Sequence, residues 1–378
     1  MFKNAADFGI HSFLIRLMRL GVVIALCSEM AWFDDTSYSG RANLRIPDTD
    51  SNLQYERNEM INVFQPINSD VLPHYAGVAT FMRMPLVENL EGVELGIFGV
   101  PWEGGSTDKP GAREGPRAVR IASTRARPCH GVTGLRPFDQ MNVADVGDVA
   151  VNPVNLPATL SSIEQFVRRL QTKKIVPLAV GGDHLITLPI LRALGSGQKL
   201  ALIHFDAHVD TWKEDFGRET LTHGTPFYRA SCEGLIDPTK SIQIGIRELI
   251  HSPKDLACSL DLGFTIVNAS QAADMGIDRV VEKIVNVVGT ASVYLTFDMD
   301  VLDPAFAPGT GTPEVGGLAT LDILRILRGL QRVKIIGADV VEIAPMYDTS
   351  GNTALVAATV LYEIMCLAIS ASQVHEQK

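Results

Sequence analysis

Cysteine is sparse in this chain, and no two cysteines stand at CxxC spacing. The five that occur, Cys27, Cys129, Cys232, Cys258 and Cys366, are scattered and odd in number. That pattern argues against a disulfide framework and fits a reducing, cytoplasmic setting. It also argues against a thiolate-held structural zinc or iron–sulfur group. Basic residues never gather into a long run. Lys and Arg total 33 against 43 Asp and Glu, for a formal net charge of -10. Nucleic acid is therefore not an expected partner. Internal repeats and low-complexity tracts are missing as well.

Long apolar runs near the start are also lacking. The stretch from Phe13 to Cys27 is broken by Arg16 and Arg19, and its continuous apolar part is too short to span a bilayer. The Ser28-Glu29-Met30 that follows makes a poor signal cleavage site. This segment is expected to form a helix on the body or on a neighbouring subunit, so no membrane partner is expected. Residues 34–60 are polar and read as an irregular arm. The expected division is an N-terminal extension over residues 1–70 and one large domain over 71–378. With 46% hydrophobic and 20% charged residues, that domain can bury a full core.

What the chain does have, from about residue 91, is an alternation of apolar strands and amphipathic helices. Strands are expected at 93–100, 174–180, 200–205, 241–246, 293–297 and 333–341, with a weaker one at 265–267. Helices are expected at 117–123, 159–171, 186–194, 277–287, 321–329 and 354–368. Such alternation predicts an α/β fold with a parallel sheet covered on both faces. The loop 101–116 carries seven glycines or prolines at a strand's C-terminal end, where α/β folds place ligands, although a mobile surface loop has the same composition.

Three segments carry the chemistry: Gly181-Gly182-Asp183-His184, Asp206-Ala207-His208-Val209-Asp210 and Asp298-Met299-Asp300. Each follows a predicted strand. Together they offer two histidines and four carboxylates, enough ligand for two divalent ions of borderline or hard character. Carboxylate-rich nitrogen and oxygen sites suit manganese, with nickel or iron as alternatives. Four crowded carboxylates without a counter-ion would repel one another strongly, which disfavours a purely structural role. His223, in the loop beyond Asp210, suits a proton shuttle or a solvated cap. Glu342 follows the last strand and suits either a cationic substrate or an ordinary ion pair.

The motifs GGDH at 181–184, DAHVD at 206–210 and FDMDVLDP at 297–304 resemble the ureohydrolase family of arginases and agmatinases. Supporting matches lie at 104–117, 223–225, 309–313 and 341–342, and the similarity runs from about Pro73 to Cys366. The resemblance implies a three-layer α/β/α domain around a mainly parallel eight-stranded sheet, in trimers or hexamers. It implies two divalent ions, Mn2+ first and Ni2+ as the alternative. His184, Asp206, Asp210 and Asp298 would hold one, Asp206, His208, Asp298 and Asp300 the other. A metal-activated water would attack the guanidinium carbon of a small guanidino substrate, releasing urea and an amine. Asp210 would steer that water, His223 would relay a proton, and Glu342 would orient the guanidinium through paired hydrogen bonds.

Residues 211–217 lack the polar pattern with which arginases grip an amino-acid head. The segments around 309–318 and 350–365 are more similar to agmatinases and guanidinoalkanoate hydrolases, guanidinobutyrase in particular. The expected substrate is thus a guanidinoalkanoate such as 4-guanidinobutyrate, or agmatine. The N-terminal arm suggests free guanidine or a biguanide as the alternative. A non-catalytic partner subunit of a heteromer is the reading from another class, and a single-zinc deacetylase-like amidohydrolase is a weaker catalytic one. Trp102, Trp212 and Tyr347 are the candidate pocket walls, each equally open to a packing role.

Overall fold

Eight short segments of this chain, seven of them apolar runs, form one sheet in the computed structural model. The structure describes residues 64–247 and 253–376. The expectations for residues 13–27 and 34–60 lie outside those residues. The strands are β1 (Leu95–Val100), β2 (Val143–Asp148), β3 (Val176–Gly181), β4 (Ala201–Phe205), β5 (Ile242–Ile246), β6 (Thr265–Asn268), β7 (Ser292–Asp298) and β8 (Lys334–Val341). Their order is β2-β1-β3-β8-β7-β4-β5-β6, and every pairing is parallel. The mainly parallel sheet expected above is thus wholly parallel among the described residues.

Alternation along each strand sends side chains to two separate cores. Ile203, Phe205, Leu295 and Phe297 enter one, together with α7 (Ile277–Val288), α8 (Thr320–Gly329) and α9 (Asn352–Glu376). Leu202 and Tyr294, one residue out of step, enter the other. There they meet α2 (Leu156–Thr172), α3 (Thr187–Leu194) and α4 (Pro226–Cys232). This period-two sorting is what makes three layers. Helix α2 starts where Asn155 accepts the Ala158 N–H at 3.0 Å, with Pro157 in its first turn. Helix α9 contains a stretch, Asn352–Ser372, long and apolar enough to cross a membrane by length and composition. It packs instead against β8 and α1 (Gly115–Ser123), as a core helix does.

One difference from the sequence reading has a physical cause. Strand β2 escapes detection because it reads VADVGD, with two aspartates and a glycine at a sheet edge. Its Asp145 is fully buried and is held by Arg120 of α1 through Nε at 2.8 Å and Nη2 at 3.0 Å. An apolar-pattern reading cannot see a strand whose buried acid is neutralised from elsewhere. The short helices α4, α5 (Pro253–Leu262) and α6 (Ala269–Met275) were not expected either; α4 and α6, at seven residues each, are too brief to show a period. Strands β3 and β4, adjacent in sequence, are separated in the sheet by β8 and β7.

The Arg120–Asp145 pair welds the edge strand to α1. Replacing Arg120 by Met strands a buried carboxylate, so guanidinium chloride unfolding should show a loss of about 3 kcal/mol or more. A loss below about 1 kcal/mol would mean that Asp145 finds another partner or water.

Candidate metal centre

The four central strands, β3, β8, β7 and β4, end along one edge of the sheet, and each delivers a site residue there. After β3 the chain passes so close to the neighbouring loop that only glycine fits. A Cβ on Gly182 would stand 2.1 Å from the Trp102 carbonyl oxygen. Asp183 then caps the short turn His184–Ile186, its Oδ1 accepting the Leu185 N–H at 3.0 Å. Its Oδ2 accepts the Gly105 N–H at 2.6 Å, which draws the glycine-rich loop against the site. Burial and the nearby Glu342 push the Asp183 carboxyl up to about 7, against the opposing pull of His223 and two backbone N–H groups.

Asp206 follows β4. The next turn is made possible by Asp210, whose backbone is left-handed at φ 48°, as is that of Glu342 at φ 60°. Non-glycine residues rarely adopt that region, and both positions were singled out by sequence as site residues. The turn puts Val209 into the core and brings Asp206, His208 and Asp210 to one place. At the end of β7, Asp298 Oδ1 accepts the Asp300 N–H at 2.9 Å and so sets the second acidic pair. Asp300 in turn accepts the Ala207 N–H at 3.0 Å, locking the two turns together.

All six expected ligands converge. His184 Nδ1 lies 3.1 Å from Asp206, 2.9 Å from Asp210 and 3.3 Å from Asp298. It is buried, yet it makes an aligned hydrogen bond to none of them. A nitrogen surrounded by three carboxylate oxygens without a bond directed at any one is how ligands of a shared cation are disposed. On the other side of Asp206, His208 Nδ1 lies 3.3 Å from Asp206 and 3.0 Å from Asp300. Asp206 thus faces both histidines, one through each oxygen.

The electrostatics agree. Burial, with repulsion from Asp300 and Asp206, drives the Asp298 carboxyl well above its ordinary range. Asp300 is raised by burial and by Asp206. Asp206 goes the other way: burial opposes ionisation, but His204, His184 and His208 together bring it well below. These groups resist sharing one buried edge unless positive charge lies among them, and two imidazoles with four carboxylates fit a pair of divalent ions.

A model of the arginase family matches residues 93–367. The chain belongs to the arginase family. It is a hydrolase of that family, and its substrate-handling relatives are close. It is 46% identical to guanidinopropionase from Pseudomonas aeruginosa over 80% of this chain and 95% of the relative. It is 43% identical to guanidinobutyrase from the same organism, over 81% and 97%. Among solved structures, a hypothetical agmatinase from Burkholderia thailandensis superposes with a TM-score of 0.74 at 42% identity, covering 79% of this chain and 93% of the other.

Within this arginase-family edge, Glu342 Oε1 accepts the backbone N–H of His184 at 2.9 Å and contacts His223 Nδ1 at 3.1 Å. Its Oε2 lies 3.9 Å from where a Cβ on Gly311 would stand. The other ring nitrogen of His223 is 2.8 Å from the Thr107 hydroxyl, a residue the sequence reading passed over. Burial alone would lower the His223 imidazole. The Glu342 carboxylate outweighs it, with Asp210 and Asp183 adding, and the ring is held at about 9. The candidate walls divide. Trp102 is buried in the core beneath Gly104 and supports the glycine-rich loop. Trp212 is half-buried against Gly224, and Tyr347 is half-buried near the Lys109 ammonium, 5.7 Å from its ring centre.

Sequence reasoning also missed His204. Its Nε2 is 2.7 Å from Asp206 Oδ2, which places it among the groups able to hold a cation. Its Nδ1, however, faces the Gln243 side-chain N–H at 3.1 Å. An amide N–H can only donate, so Nδ1 accepts and Nε2–H donates to Asp206. His204 therefore orients the carboxylate and is not itself a ligand. The signal was available: residue 204 lies two before Asp206 and shares its face of the strand.

The Glu342–His223 contact makes a measurable claim. In the metal-free protein, Glu342→Gln removes the main raising influence, so the His223 midpoint followed by NMR should fall from about 9 towards 6.5 or below. An unchanged midpoint would show that Glu342 does not set it.

Proposed function

We propose that this protein hydrolyses a small guanidino acid, such as 4-guanidinobutyrate or 3-guanidinopropionate, to urea and the corresponding amine. The observation that carries the reading is the convergence of His184, Asp206, His208, Asp210, Asp298 and Asp300 at one sheet edge beside Glu342. His184, Asp206, Asp210 and Asp298 would hold one divalent ion, and Asp206, His208, Asp298 and Asp300 the other. Mn2+ is the first choice for such donors and Ni2+ the alternative. When bound, the pair supplies a water acidified enough to ionise at neutral pH.

The chain's own residues do the rest. Oε1 of Glu342 is already engaged by His184 and His223, so its Oε2 is the oxygen left to accept the guanidinium N–H groups. The paired contact expected from sequence therefore narrows to one open oxygen. Asp210, 2.9 Å from His184, is placed to orient the water. His223, whose ring Glu342 raises to about 9 in the metal-free site, is the group whose proton the Thr107 side can pass towards a leaving amine. The Thr107 hydroxyl accepts from the charged ring and can turn to donate to the neutral one, which also accepts the Thr107 backbone N–H at 3.3 Å.

Lys109 favours an acid over agmatine. Only its backbone adjoins the guanidinium anchor, its carbonyl oxygen standing 2.9 Å from the Gly311 Cβ position that lies 3.9 Å from Glu342 Oε2, while its exposed ammonium lies 5.7 Å from the ring centre of the candidate wall Tyr347. An ammonium beside that wall would attract a carboxylate tail and repel a second ammonium. The two Pseudomonas relatives, a guanidinopropionase and a guanidinobutyrase, agree with this choice. Free guanidine or a biguanide rested on the N-terminal arm and is not favoured by these relatives. A non-catalytic subunit is not favoured by a complete ligand set. We also propose a homo-oligomer, a trimer or hexamer. It is supported by exposed Tyr75, Val78, Ile121 and Leu355 lining one groove, an apolar surface that a second copy would cover.

Urea release from 4-guanidinobutyrate, 3-guanidinopropionate, agmatine, arginine, guanidine and metformin, each with Mn2+ and with Ni2+, tests the reading. The guanidino acids should lead, and a preference for arginine would sink it. Asp206→Asn should abolish both paired metal uptake and urea release. Lys109→Met should raise KM for the acids by roughly tenfold, about 1.4 kcal/mol, and leave agmatine unharmed. An equal effect on both substrates would remove Lys109 from tail recognition.

A further inference from the structure

Asp339 of β8 is fully buried, and its partners are hydroxyl groups. Its Oδ2 accepts from Thr187 at 2.6 Å and from Tyr294 at 2.6 Å, and its Oδ1 accepts from Thr296 at 2.5 Å. Burying a carboxylate this way is costly compared with an apolar residue of similar volume. The parallel sheet does not need it, since Ala338 and Val340 beside it on β8 and Ala179 paired with it on β3 are apolar. Its reach towards the metal centre supplies a reason. Thr296 Oγ1 is also 2.7 Å from Nε2 of His184.

A threonine hydroxyl has one proton to give. That proton goes to Asp339, so the oxygen must accept the Nε2–H of His184. The ring is thereby fixed with its other nitrogen, Nδ1, turned towards Asp206, Asp210 and Asp298. Phe227 closes the side, edge to face at 5.2 Å. The backbone of the same residue is held just past the end of β8, through the bond from His184 N–H to Glu342 Oε1 at 2.9 Å. His184 is thus held at its ring by Thr296 of β7, backed by Asp339, and at its backbone by Glu342.

We propose that Asp339, acting through Thr296, is the positioning residue that sets the tautomer and the donor strength of His184 towards a divalent cation. The inference rests on the two-metal reading above. A carboxylate at the end of such a chain makes the imidazole more basic and stops its rotation. Loss of that kind of support weakens metal affinity by roughly 10- to 100-fold.

The test uses the full chain stripped of metal and titrated with Mn2+ alone, with stoichiometry and affinity read by equilibrium dialysis. Thr296→Val removes the hydroxyl at constant shape, Thr296→Ser retains it, and Asp339→Asn removes the charge. The valine and asparagine variants should lose roughly 10- to 100-fold in affinity for one of the two ions, and the serine variant should bind as the parent does. In the Zn2+-loaded protein, the Nε2–H resonance of His184 should persist in the parent and in Thr296→Ser and exchange away in Thr296→Val. If Asp339→Asn fails to fold, the two Thr296 variants still decide. Two Mn2+ bound at parental affinity by Thr296→Val would overturn the relay alone. A parent chain that never takes up a second Mn2+ would overturn the two-metal reading and the relay with it.

Discussion

Mutual repulsion among four carboxylates buried at one sheet edge is the constraint from which the rest of the site follows. Asp206, Asp210, Asp298 and Asp300 are each nearly or wholly shielded from water. Neighbouring charges of one sign in a poorly solvated place are unfavourable by several kcal/mol unless cations or directed hydrogen bonds offset them. The chain supplies the hydrogen bonds, from Ala207 N–H, Asp300 N–H and His204. It does not supply the positive charge in full, and this is the sense in which the protein is built around ions it must acquire.

Strand β8 links that constraint to the remainder of the centre. Asp339 meets the Thr296 hydroxyl that leads to His184, and Glu342, just past the strand's end, meets the His184 backbone and His223. Because β8 is flanked by β3 and β7, it also sets the separation of the His184 turn from the Asp298 turn. The left-handed backbone at Glu342 is tolerated because the surrounding contacts over-determine it, as happens where geometry serves chemistry. The glycine-rich loop is drawn in by Asp183 and His223, both of which also feel Glu342. Ligand edge, substrate anchor and loop therefore form one coupled unit.

Much of this was legible in the sequence because it is local. Apolar runs marked seven of the eight strands, since a parallel strand buried on both faces has no polar alternation to confuse it. The histidines and aspartates at 184, 206, 208, 210, 298 and 300 announced themselves by short spacing after those runs. Strand β2 did not, because its buried Asp145 is paid for by Arg120, a residue 25 positions away. Thr296 and Asp339 did not either. Each looks like an ordinary residue in a strand until the partner across the sheet is known.

The sequence by itself determined the fold class and the candidate donor set, because these depend on residue type and on spacing within single segments, and the bond to be broken came with the family resemblance those motifs carry. Tertiary structure alone decided which segments meet. It placed β8 and β7 between β3 and β4, turned His204 into an orienting donor, and left one oxygen of Glu342 open. It also tied Asp339 to His184 through a single hydroxyl. The physical reason is that hydrogen bonds act over about 3 Å, whereas strand order brings together residues more than a hundred positions apart.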